Sequence, residues 1–254
     1  MLEERVEVHA SGDLGGESEA KLMSGHWLVF GGWSLPPNIL SPIFGNNSTY
    51  IDVNPLFGEL FIEKALRKNW TAIIFDKIRQ VVPNQPVNIA GWSTGAFFAY
   101  ALSAVMKPQR MLLLSASPSF CKRDGFVHGQ DIGVIKVMRR QLTRNKISAL
   151  INFQKQCGLD EYNPASENYS TEDLASGLRF LEQINLLPLH KPLCPTLLFH
   201  GEEDAIIPYQ AGEFFARETG AAKTILSGEH TFFLDHSNAL FIRNVVTAEF
   251  IKML

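Results

Sequence analysis

Short apolar runs alternate with longer segments of mixed polarity along most of this chain. An apolar run bounded by turn-forming residues is typical of a buried strand, whereas apolar positions spaced three or four apart are typical of one helix face. The pattern therefore predicts strands at 27–30, 49–53, 87–90, 111–115, 196–199 and 223–226. It predicts helices at 56–68, 71–82, 93–106, 210–218 and 239–253.

Alternating strands and helices indicate an α/β fold, in which a mostly parallel sheet carries helices on both faces. The length of 254 residues and the hydrophobic content of 46% suit one substantial core with a modest insertion. Residues 5–9 are expected to add an edge strand, and the stretch 11–24, rich in Gly, Ser and charge, is expected to be an exposed loop.

The alternation of predicted strands and helices ends after residue 116. From there to residue 187 the sequence predicts helices separated by polar loops such as 163–166. An insertion between two strands of a parallel sheet lies over the carboxyl ends of the strands, where α/β proteins bind their ligands. We therefore expect a core formed by residues 1–116 and 188–254 and a helical lid formed by residues 117–187.

Composition excludes several classes of function. The net charge of −3 gives no indication of nucleic-acid binding, and no segment approaches the length of a membrane-spanning helix. The scattered cysteines Cys121, Cys157 and Cys194 and the acidic amino terminus, which lacks an apolar signal segment, predict a cytoplasmic protein with free thiols. We expect a monomer. The sequence contains no Gly-x-x-x-x-Gly-Lys loop, no Gly-x-Gly-x-x-Gly motif and no His-Glu-x-x-His pair, so no cofactor and no metal are implied.

The most informative motif is Gly91-Trp92-Ser93-Thr94-Gly95, which follows an apolar run and precedes a predicted helix. A Gly-x-Ser-x-Gly sequence is typical of a serine on a strained turn from strand to helix, where small neighbours leave room and the hydroxyl stands above the sheet edge. Ser93 is thus a candidate nucleophile. A serine that only caps the next helix would give the same motif.

A nucleophile of this kind requires an acid later in the chain, just after a strand. Asp204 follows the strand predicted at 196–199, and a carboxylate there can hold a histidine ring in the correct tautomer. We prefer it to Glu202 and Glu203, because two adjacent glutamates are typical of a solvated loop. A turn or helix cap is the alternative role for Asp204.

The general base is expected after the acid and after the next strand, where His230 lies. His236 is the nearest competitor, but it lies on the approach to the last helix. His200 precedes the acid and is therefore in the wrong order. The sequence predicts His230 as the base.

Hydrolysis through a tetrahedral intermediate requires two N–H donors that face the oxyanion. One comes from the residue after the nucleophile, here Thr94, and the other from the loop that follows the first strand. That loop begins Gly31-Gly32-Trp33, so Trp33 is the second candidate donor, and the two glycines would let the backbone approach closely. A flexible turn is the alternative reading of the two glycines.

Together these residues resemble the α/β-hydrolase superfamily and, within it, the pimeloyl-[acyl-carrier protein] methyl ester carboxylesterases of biotin synthesis. The resemblance covers most of the chain from about residue 27 onward. This chain departs from the family at Gly31, where histidine is usual, and at Ala96, where glycine is usual. The similar motifs are Gly32-Trp33 in the loop after the first strand, called the oxyanion loop below, and Gly91-Trp92-Ser93 at the turn from strand to helix, called the elbow. A third is Ser115-Ala116-Ser117-Pro118-Ser119-Phe120 before the lid.

The resemblance implies that Ser93 attacks a methyl ester whose acid portion is attached to an acyl carrier protein. It also implies that Trp33 and Phe153 contact the substrate, Phe153 by its family position; a core aromatic is the alternative for this residue. The lid is rich in cations and carriers are acidic, so the resemblance implies a docking face, with an ordinary solvated helix face as the alternative. Its candidate residues are Lys136, Arg139, Arg140, Arg144 and Lys146, with Lys155 in the same acid-free stretch.

Two other functions remain open. The same three residues serve short-chain carboxylesterases and acyl thioesterases, so the substrate does not follow from them. A noncatalytic ligand-binding protein of this fold is the alternative from another class, and the presence of Ser93, Asp204 and His230 counts against it.

Overall fold

The computed structural model of the protein describes residues 25–46, 48–62 and 65–252. The edge strand expected at 5–9 and the loop expected at 11–24 lie outside the described residues. Within the described part of the chain, no helix is both long enough and apolar enough to span a lipid bilayer.

The described residues form a parallel six-stranded sheet and a small antiparallel hairpin. The sheet has the order β2-β1-β5-β6-β7-β8, and its strands correspond to the six predicted from apolar runs. The expected α/β architecture is confirmed. The strands are β1 (His26–Phe30), β2 (Ser48–Ile51), β3 (Phe61–Ile62), β4 (Ala65–Leu66), β5 (Val87–Trp92), β6 (Met111–Leu114), β7 (Thr196–Gly201) and β8 (Ala222–Leu226).

Helices connect these strands and cover the sheet. Helices α4, α5 and α6 lie between β6 and β7, within the predicted lid, and are called the lid helices below. The helices are α1 (Ser41–Phe44), α2 (Trp70–Ile78), α3 (Thr94–Met106), α4 (Ile132–Arg144), α5 (Lys146–Gln156), α6 (Thr171–Gln183), α7 (Tyr209–Thr219) and α8 (His236–Lys252). Short 3-10 helices occur at Pro37–Leu40, Asn54–Leu60, Pro164–Asn168 and Phe232–Leu234.

Apolar side chains of the strands point alternately to two cores, one on each face of the sheet. From β1, Leu28 packs in the core that contains Phe98 of α3, whereas Val29 packs in the core that contains Ile242 of α8. Alternation is required because successive strand residues face opposite sides of a sheet. Burial on both faces explains why the strands are almost continuously apolar.

The predicted helix at 56–68 is wrong. The chain instead forms the 3-10 helix Asn54–Leu60 and then the hairpin of β3 and β4. Gly58 disfavours a regular helix, and contacts of Phe57 with α3 and α6 determine the path of the chain. The ring of Phe57 packs 6.0 Å from that of Phe98 and 5.5 Å from that of Phe180.

The sheet has a topological switch point between β1 and β5. These strands are neighbours, yet the chain runs from β1 outward to β2 before it crosses to β5. Phe30, at the end of β1, lies opposite Gly91, near the end of β5. At such a point the loops that follow the two strands leave the sheet in opposite directions, and a crevice opens between them. The loops after Phe30 and after Trp92 therefore border this crevice.

Candidate active site

Ser93 lies between the last residue of β5 and the first residue of α3, with φ 57° and ψ −119°. This is a conformation that residues with a Cβ rarely adopt. The turn closes only because its neighbours lack side chains: a Cβ at Gly91 would lie 2.2 Å from the carbonyl oxygen of Gly95. Residues 91–95 therefore form the strained elbow expected from the sequence. The Ser93 side chain is buried there, with 6% of the residue exposed.

The structure brings Ser93, His230 and Asp204 into one chain of hydrogen bonds. His230 Nε2 lies 2.8 Å from Ser93 Oγ, and His230 Nδ1 lies 2.7 Å from Asp204 Oδ2. His230 and Asp204 are 1% and 5% exposed. A carboxylate at Nδ1 leaves Nε2 free to accept the serine proton, which is the arrangement that activates a serine nucleophile.

Asp204 is held by groups from its own loop. Its Oδ1 accepts hydrogen bonds from the N–H groups of Ile206 and Ile207, at 2.9 and 2.8 Å. Burial alone would raise the pKa of Asp204, but the charge of His230 and hydrogen bonds from His200 and His230 outweigh burial and hold the pKa of this carboxyl well below its usual range. Asp204 is therefore a carboxylate at neutral pH.

The neighbouring strand also supports the acid. Ser115, immediately after β6 and with φ 49°, donates a hydrogen bond from its hydroxyl to Asp204 Oδ2 at 2.8 Å. No sequence pattern indicated a role for Ser115 at the acid. A serine at a strand end is common, and only the pairing of β6 with β7 places it beside Asp204.

The competing residues occupy other positions. Glu202, Glu203 and His236 are exposed. His200 is fully buried, with Nε2 2.7 Å from the carbonyl oxygen of Ile207 and 3.3 Å from Asp204 Oδ2. His200 Nε2 must carry a proton, because a carbonyl oxygen only accepts. His200 thus contacts the acid and its loop, whereas His230 contacts the serine hydroxyl.

The loop after β1 packs directly on the elbow. A Cβ at Gly32 would lie 2.9 Å from the ring of Trp92, and a Cβ at Gly95 would lie 2.2 Å from the carbonyl oxygen of Phe30. These contacts require glycine and place the backbone of Trp33 near the amino-terminal end of α3, which begins at Thr94. Trp33 and Thr94 therefore lie on two segments that pack against each other.

The Trp33 side chain is held by the lid helices. Its Nε1 donates to the carbonyl oxygen of Leu174 in α6 at 2.9 Å, and its ring meets that of Phe153 in α5 edge-on, with centroids 4.8 Å apart. A Cβ at Gly177 would lie 2.5 Å from Trp33 Cδ1, so the indole lies flush against α6. Both aromatic residues named as substrate contacts therefore lie between the core and the lid helices.

A small cavity of about 30 Å³ opens between α4 and α5 and reaches Trp33. A volume of this size holds about one water molecule, so a substrate chain would require movement of the lid helices or of the lining side chains. The cavity combines apolar and amide side chains; it is lined by Trp33, Met138, Gln141, Ala149, Asn152, Phe153 and Gln156.

The basic residues of the lid helices fall into two groups. Arg139 donates to Glu182 of α6 at 2.8 Å, and Lys146 donates to the carbonyl oxygens of Glu167 and Tyr169. These two cations join parts of the lid to one another. A second group is exposed and has no ion pair within the described residues; it comprises Lys136, Arg140, Arg144 and Lys155.

The described part of the chain contains no group of three or more His, Cys, Asp or Glu side chains arranged to hold a metal ion. Cys121, Cys157 and Cys194 are free thiols.

No known family model matches this chain. Curated relatives include the pimeloyl-[acyl-carrier protein] methyl ester esterase of Xylella fastidiosa strain M23, 26% identical over 168 residues that span 59% of this chain and 66% of that protein. The protein of the same name from Nitrosospira multiformis is 27% identical over 188 residues, 67% of this chain and 71% of the relative.

Solved structures share the fold over almost the whole chain. An esterase from Exiguobacterium antarcticum superposes with a TM-score of 0.67 at 19% identity, covering 89% of this chain and 92% of its own. A hydrolase from Oleispira antarctica gives a TM-score of 0.68 at 12% identity, covering 94% and 99%. A type II thioesterase of the yersiniabactin pathway gives 0.56 at 15%, covering 88% and 92%. The chain therefore has the α/β-hydrolase fold, and its distant curated relatives are pimeloyl-[acyl-carrier protein] methyl ester esterases.

Proposed function

We propose that this protein is a serine carboxylesterase in which Ser93 is the nucleophile, His230 the general base and Asp204 the acid that orients it. The observation that carries this proposal is the continuous hydrogen-bonded path from Ser93 Oγ through both nitrogens of His230 to Asp204 Oδ2, at 2.8 and 2.7 Å.

In the first half of the reaction, Ser93 Oγ attacks the ester carbonyl while His230 Nε2 takes the hydroxyl proton. The N–H groups of Trp33 and Thr94 stabilise the negative charge on the carbonyl oxygen. His230 then returns the proton to the leaving alkoxide, which departs as an alcohol and leaves an acyl-serine. In the second half, water gives a proton to His230 and attacks the acyl-serine. The acid is released, and Ser93 recovers its proton.

Reaction with a fluorophosphonate probe and hydrolysis of short p-nitrophenyl esters test the nucleophile. The wild type should show both, and Ser93→Ala should lose both. Ser103→Ala is a matched control, because Ser103 is also buried and donates to the carbonyl of Tyr100 within α3. Full hydrolysis by Ser93→Ala would contradict the assignment. A wild type that never reacts with the probe would favour the noncatalytic ligand-binding alternative.

For the substrate, we propose the methyl ester of a pimeloyl group carried by acyl carrier protein. The names of the curated relatives support this choice. A carrier conjugate contains both a methyl ester and a thioester, so the site must receive only the far end of the chain. We propose that residues 117–187 act as the lid and that the cavity beside Trp33 and Phe153 marks the route of the acyl chain.

We propose that the carrier docks on the exposed face of α4. Lys136, Arg140 and Arg144 are spaced four residues apart and therefore form one stripe along this helix. Val134 and Val137, 41% and 50% exposed, lie on the same helix. A cationic stripe beside apolar groups suits an acidic partner, whose approach it accelerates at low salt. The side chains of Arg139 and Lys146 form hydrogen bonds within the lid, so they are less available to contact the carrier.

Purified protein and the synthetic carrier conjugate test the substrate. Mass spectrometry of the products shows whether the methyl ester or the thioester is cleaved. Methyl ester cleavage supports the proposal; thioester cleavage identifies a thioesterase, and cleavage of small esters alone identifies a general esterase.

A charge-reversal pair tests the docking face. Arg140→Glu with Arg144→Glu should lower kcat/KM for the carrier substrate at low salt by about tenfold or more and leave small-ester hydrolysis unchanged. Lys191→Glu is the control, because Lys191 is exposed and precedes β7 at the opposite end of the sheet. Equal turnover by all three proteins would contradict docking on α4.

A further inference from the structure

Asn54 begins the 3-10 helix that follows β2, and its side chain is fully buried. An asparagine amide has two donors and two acceptor positions, and burying it is costly unless they are used. Asn54 forms hydrogen bonds with the oxyanion loop and with Asp52, and its side chain also interacts with the Tyr169 hydroxyl.

The Asn54 side chain contacts the backbone on both sides of Trp33. Its Oδ1 accepts a hydrogen bond from the N–H of Ser34 at 2.8 Å, and its Nδ2 donates to the carbonyl oxygen of Gly32 at 3.2 Å. The carbonyl of Gly32 and the N–H of Trp33 belong to one peptide group. The N–H of Ser34 belongs to the next.

This placement matters because a peptide group is planar and rotates as a unit. A hydrogen bond that holds the Gly32 carbonyl also sets the direction in which the Trp33 N–H points. Glycine at positions 31 and 32 leaves the loop backbone free to rotate, so the direction must be imposed from outside. Ser34, with φ 61°, adopts a conformation that also needs external support.

Asn54 is itself held by Asp52. Asp52 Oδ1 accepts from both the backbone N–H and the Nδ2 of Asn54, each at 2.9 Å. The second carboxylate oxygen, Oδ2, accepts from the hydroxyl of Tyr169 at 2.7 Å. Burial and the neighbouring Asp52 carboxylate raise the pKa of Tyr169, which keeps the hydroxyl protonated as the donor.

Tyr169 belongs to the predicted lid, one residue before the cap of α6. Its carbonyl oxygen accepts from Lys146 of α5 at 2.8 Å. A single hydrogen-bonded path therefore runs from the lid helices through Tyr169, Asp52 and Asn54 to the backbone that presents the Trp33 N–H.

We propose that Asn54 is a positioning residue for the oxyanion hole, and that the contact of Tyr169 with Asp52 makes the direction of the Trp33 N–H depend on whether the lid is seated. This inference rests on the proposed function, because the oxyanion hole matters only if Ser93 forms tetrahedral intermediates. A seated lid holds Asp52 and thereby orients the side-chain amide of Asn54. A displaced lid releases Asp52 and, through Asn54, the loop.

The kinetic test uses Asn54→Ala on a small ester. Loss of one oxyanion donor lowers kcat by about 100-fold or more, so a donor that is misdirected part of the time should lower kcat about 10- to 100-fold with KM nearly unchanged. Affinity for a trifluoromethyl ketone, which forms a tetrahedral adduct with the serine, should fall by a similar factor. The matched control is Asn88→Ala, since Asn88 is a buried asparagine near the start of β5, away from Ser93.

Tyr169→Phe tests the path from the lid and avoids a large loss of core packing. It should lower kcat several-fold without changing KM. Tyr100→Phe is its control, because the Tyr100 hydroxyl pairs with the backbone of His190. Wild-type kcat in a folded Asn54→Ala protein would overturn the role of Asn54. Wild-type kcat in Tyr169→Phe would overturn the coupling to the lid.

Amide hydrogen exchange separates this inference from the proposed function, because exchange requires no substrate. The N–H of Ser34 should exchange faster in Asn54→Ala than in Asn88→Ala when both are compared at equal global stability. That result would support positioning of the loop even if the wild type cleaved no ester, an outcome that would overturn only the proposed function. Unchanged exchange at Ser34 would overturn the positioning itself.

Discussion

Thr231 donates two hydrogen bonds to the same acceptor, the carbonyl oxygen of Cys157. The backbone N–H lies 3.0 Å from that oxygen and the hydroxyl 2.8 Å. Thr231 is the residue after His230, and Cys157 caps the carboxyl end of α5. A lid helix is thus joined directly to the loop that carries the proposed base.

Replacing Thr231 with Val removes the hydroxyl bond but keeps the shape and the N–H bond. We expect the free energy of unfolding to fall by about 0.5 to 1.5 kcal/mol, because the carbonyl of Cys157 loses one of two donors but keeps the N–H of Thr231. Esterase kcat should fall as well, since the loop beside His230 gains freedom. Urea denaturation and ester kinetics measure the two effects.

Thr219→Val provides the comparison for this substitution. The Thr219 hydroxyl is also buried and donates to the carbonyl of Phe215, but it lies at the end of α7. It should lose similar stability and keep kcat. Equal kcat in both variants would show that the Thr231 hydroxyl has no influence on the base.

Gly95→Ala should separate the elbow from the oxyanion loop. The added Cβ would lie 2.2 Å from the carbonyl oxygen of Phe30 and 2.5 Å from that of Gly31. Backbone atoms cannot move aside cheaply, so we expect a loss of more than about 2 kcal/mol in stability and almost no esterase activity. Thermal unfolding and p-nitrophenyl ester hydrolysis provide the measurements.

Gly133→Ala is the control for added bulk. Gly133 lies in α4, where a Cβ would meet nothing within 4 Å among the described atoms. Alanine is favoured over glycine in a helix, so this variant should be at least as stable as the wild type. Retained activity in Gly95→Ala would contradict the close packing of the two loops.

Asp204→Asn should lower kcat about a thousandfold or more, because an amide cannot stabilise the imidazolium of His230 and can favour the wrong tautomer. Asp235→Asn is the control, since Asp235 is exposed and pairs with Ser237 and Asn238. A loss of only a few-fold in Asp204→Asn would show that the carboxylate is not required to orient the ring.

The same variant should change how stability depends on pH. The pKa of Asp204 is lower in the folded protein than in the unfolded chain, so the unfolded chain binds the proton more readily. The carboxylate therefore stabilises the fold above its unfolded pKa of about 4, and this contribution is lost as the pH falls towards the lower folded value. The stability difference between wild type and Asp204→Asn should shrink below about pH 4 in urea titrations.

Cys157 should resist alkylation in the native protein. Burial raises the pKa of its thiol well above the ordinary value, and the nearby carboxylates of Asp204 and Glu229 add to the shift. Thiolate is the reactive form. Timed treatment with iodoacetamide and peptide mapping should show modification of the half-buried Cys194 before Cys157. Equal rates at both cysteines would indicate that the end of α5 opens readily.

Sequence patterns predicted those features whose physical cause lies in neighbouring residues of the chain. Apolar runs gave the six strands of the sheet within about two residues at most boundaries, because burial on both faces requires such runs. The elbow could be anticipated because only glycine fits at positions 91 and 95. The order of acid and histidine along the chain led to Asp204 and His230, which form one hydrogen-bonded chain with Ser93 in the structure.

Contacts between residues that are far apart in the sequence could not be predicted. Asn54 followed by Pro55 is an ordinary turn sequence, and nothing local shows that its side chain reaches Gly32 and Ser34. The prediction of a helix at 56–68 was wrong for the same reason, because the position of Phe57 depends on its ring contacts with α3 and α6. Arg139 and Arg140 are adjacent and identical in type, yet only the fold turns Arg139 towards Glu182.

The bond from the Trp33 indole to Leu174 limits how such a protein can be redesigned. Exchanging the segment between β6 and β7 for that of another protein with this fold is an attractive way to alter specificity. Here the exchange would remove the acceptor for Trp33 together with the acceptor for Thr231 at Cys157. A functional chimera must therefore bring two carbonyl groups of its own to these positions, so the segment is not an interchangeable module.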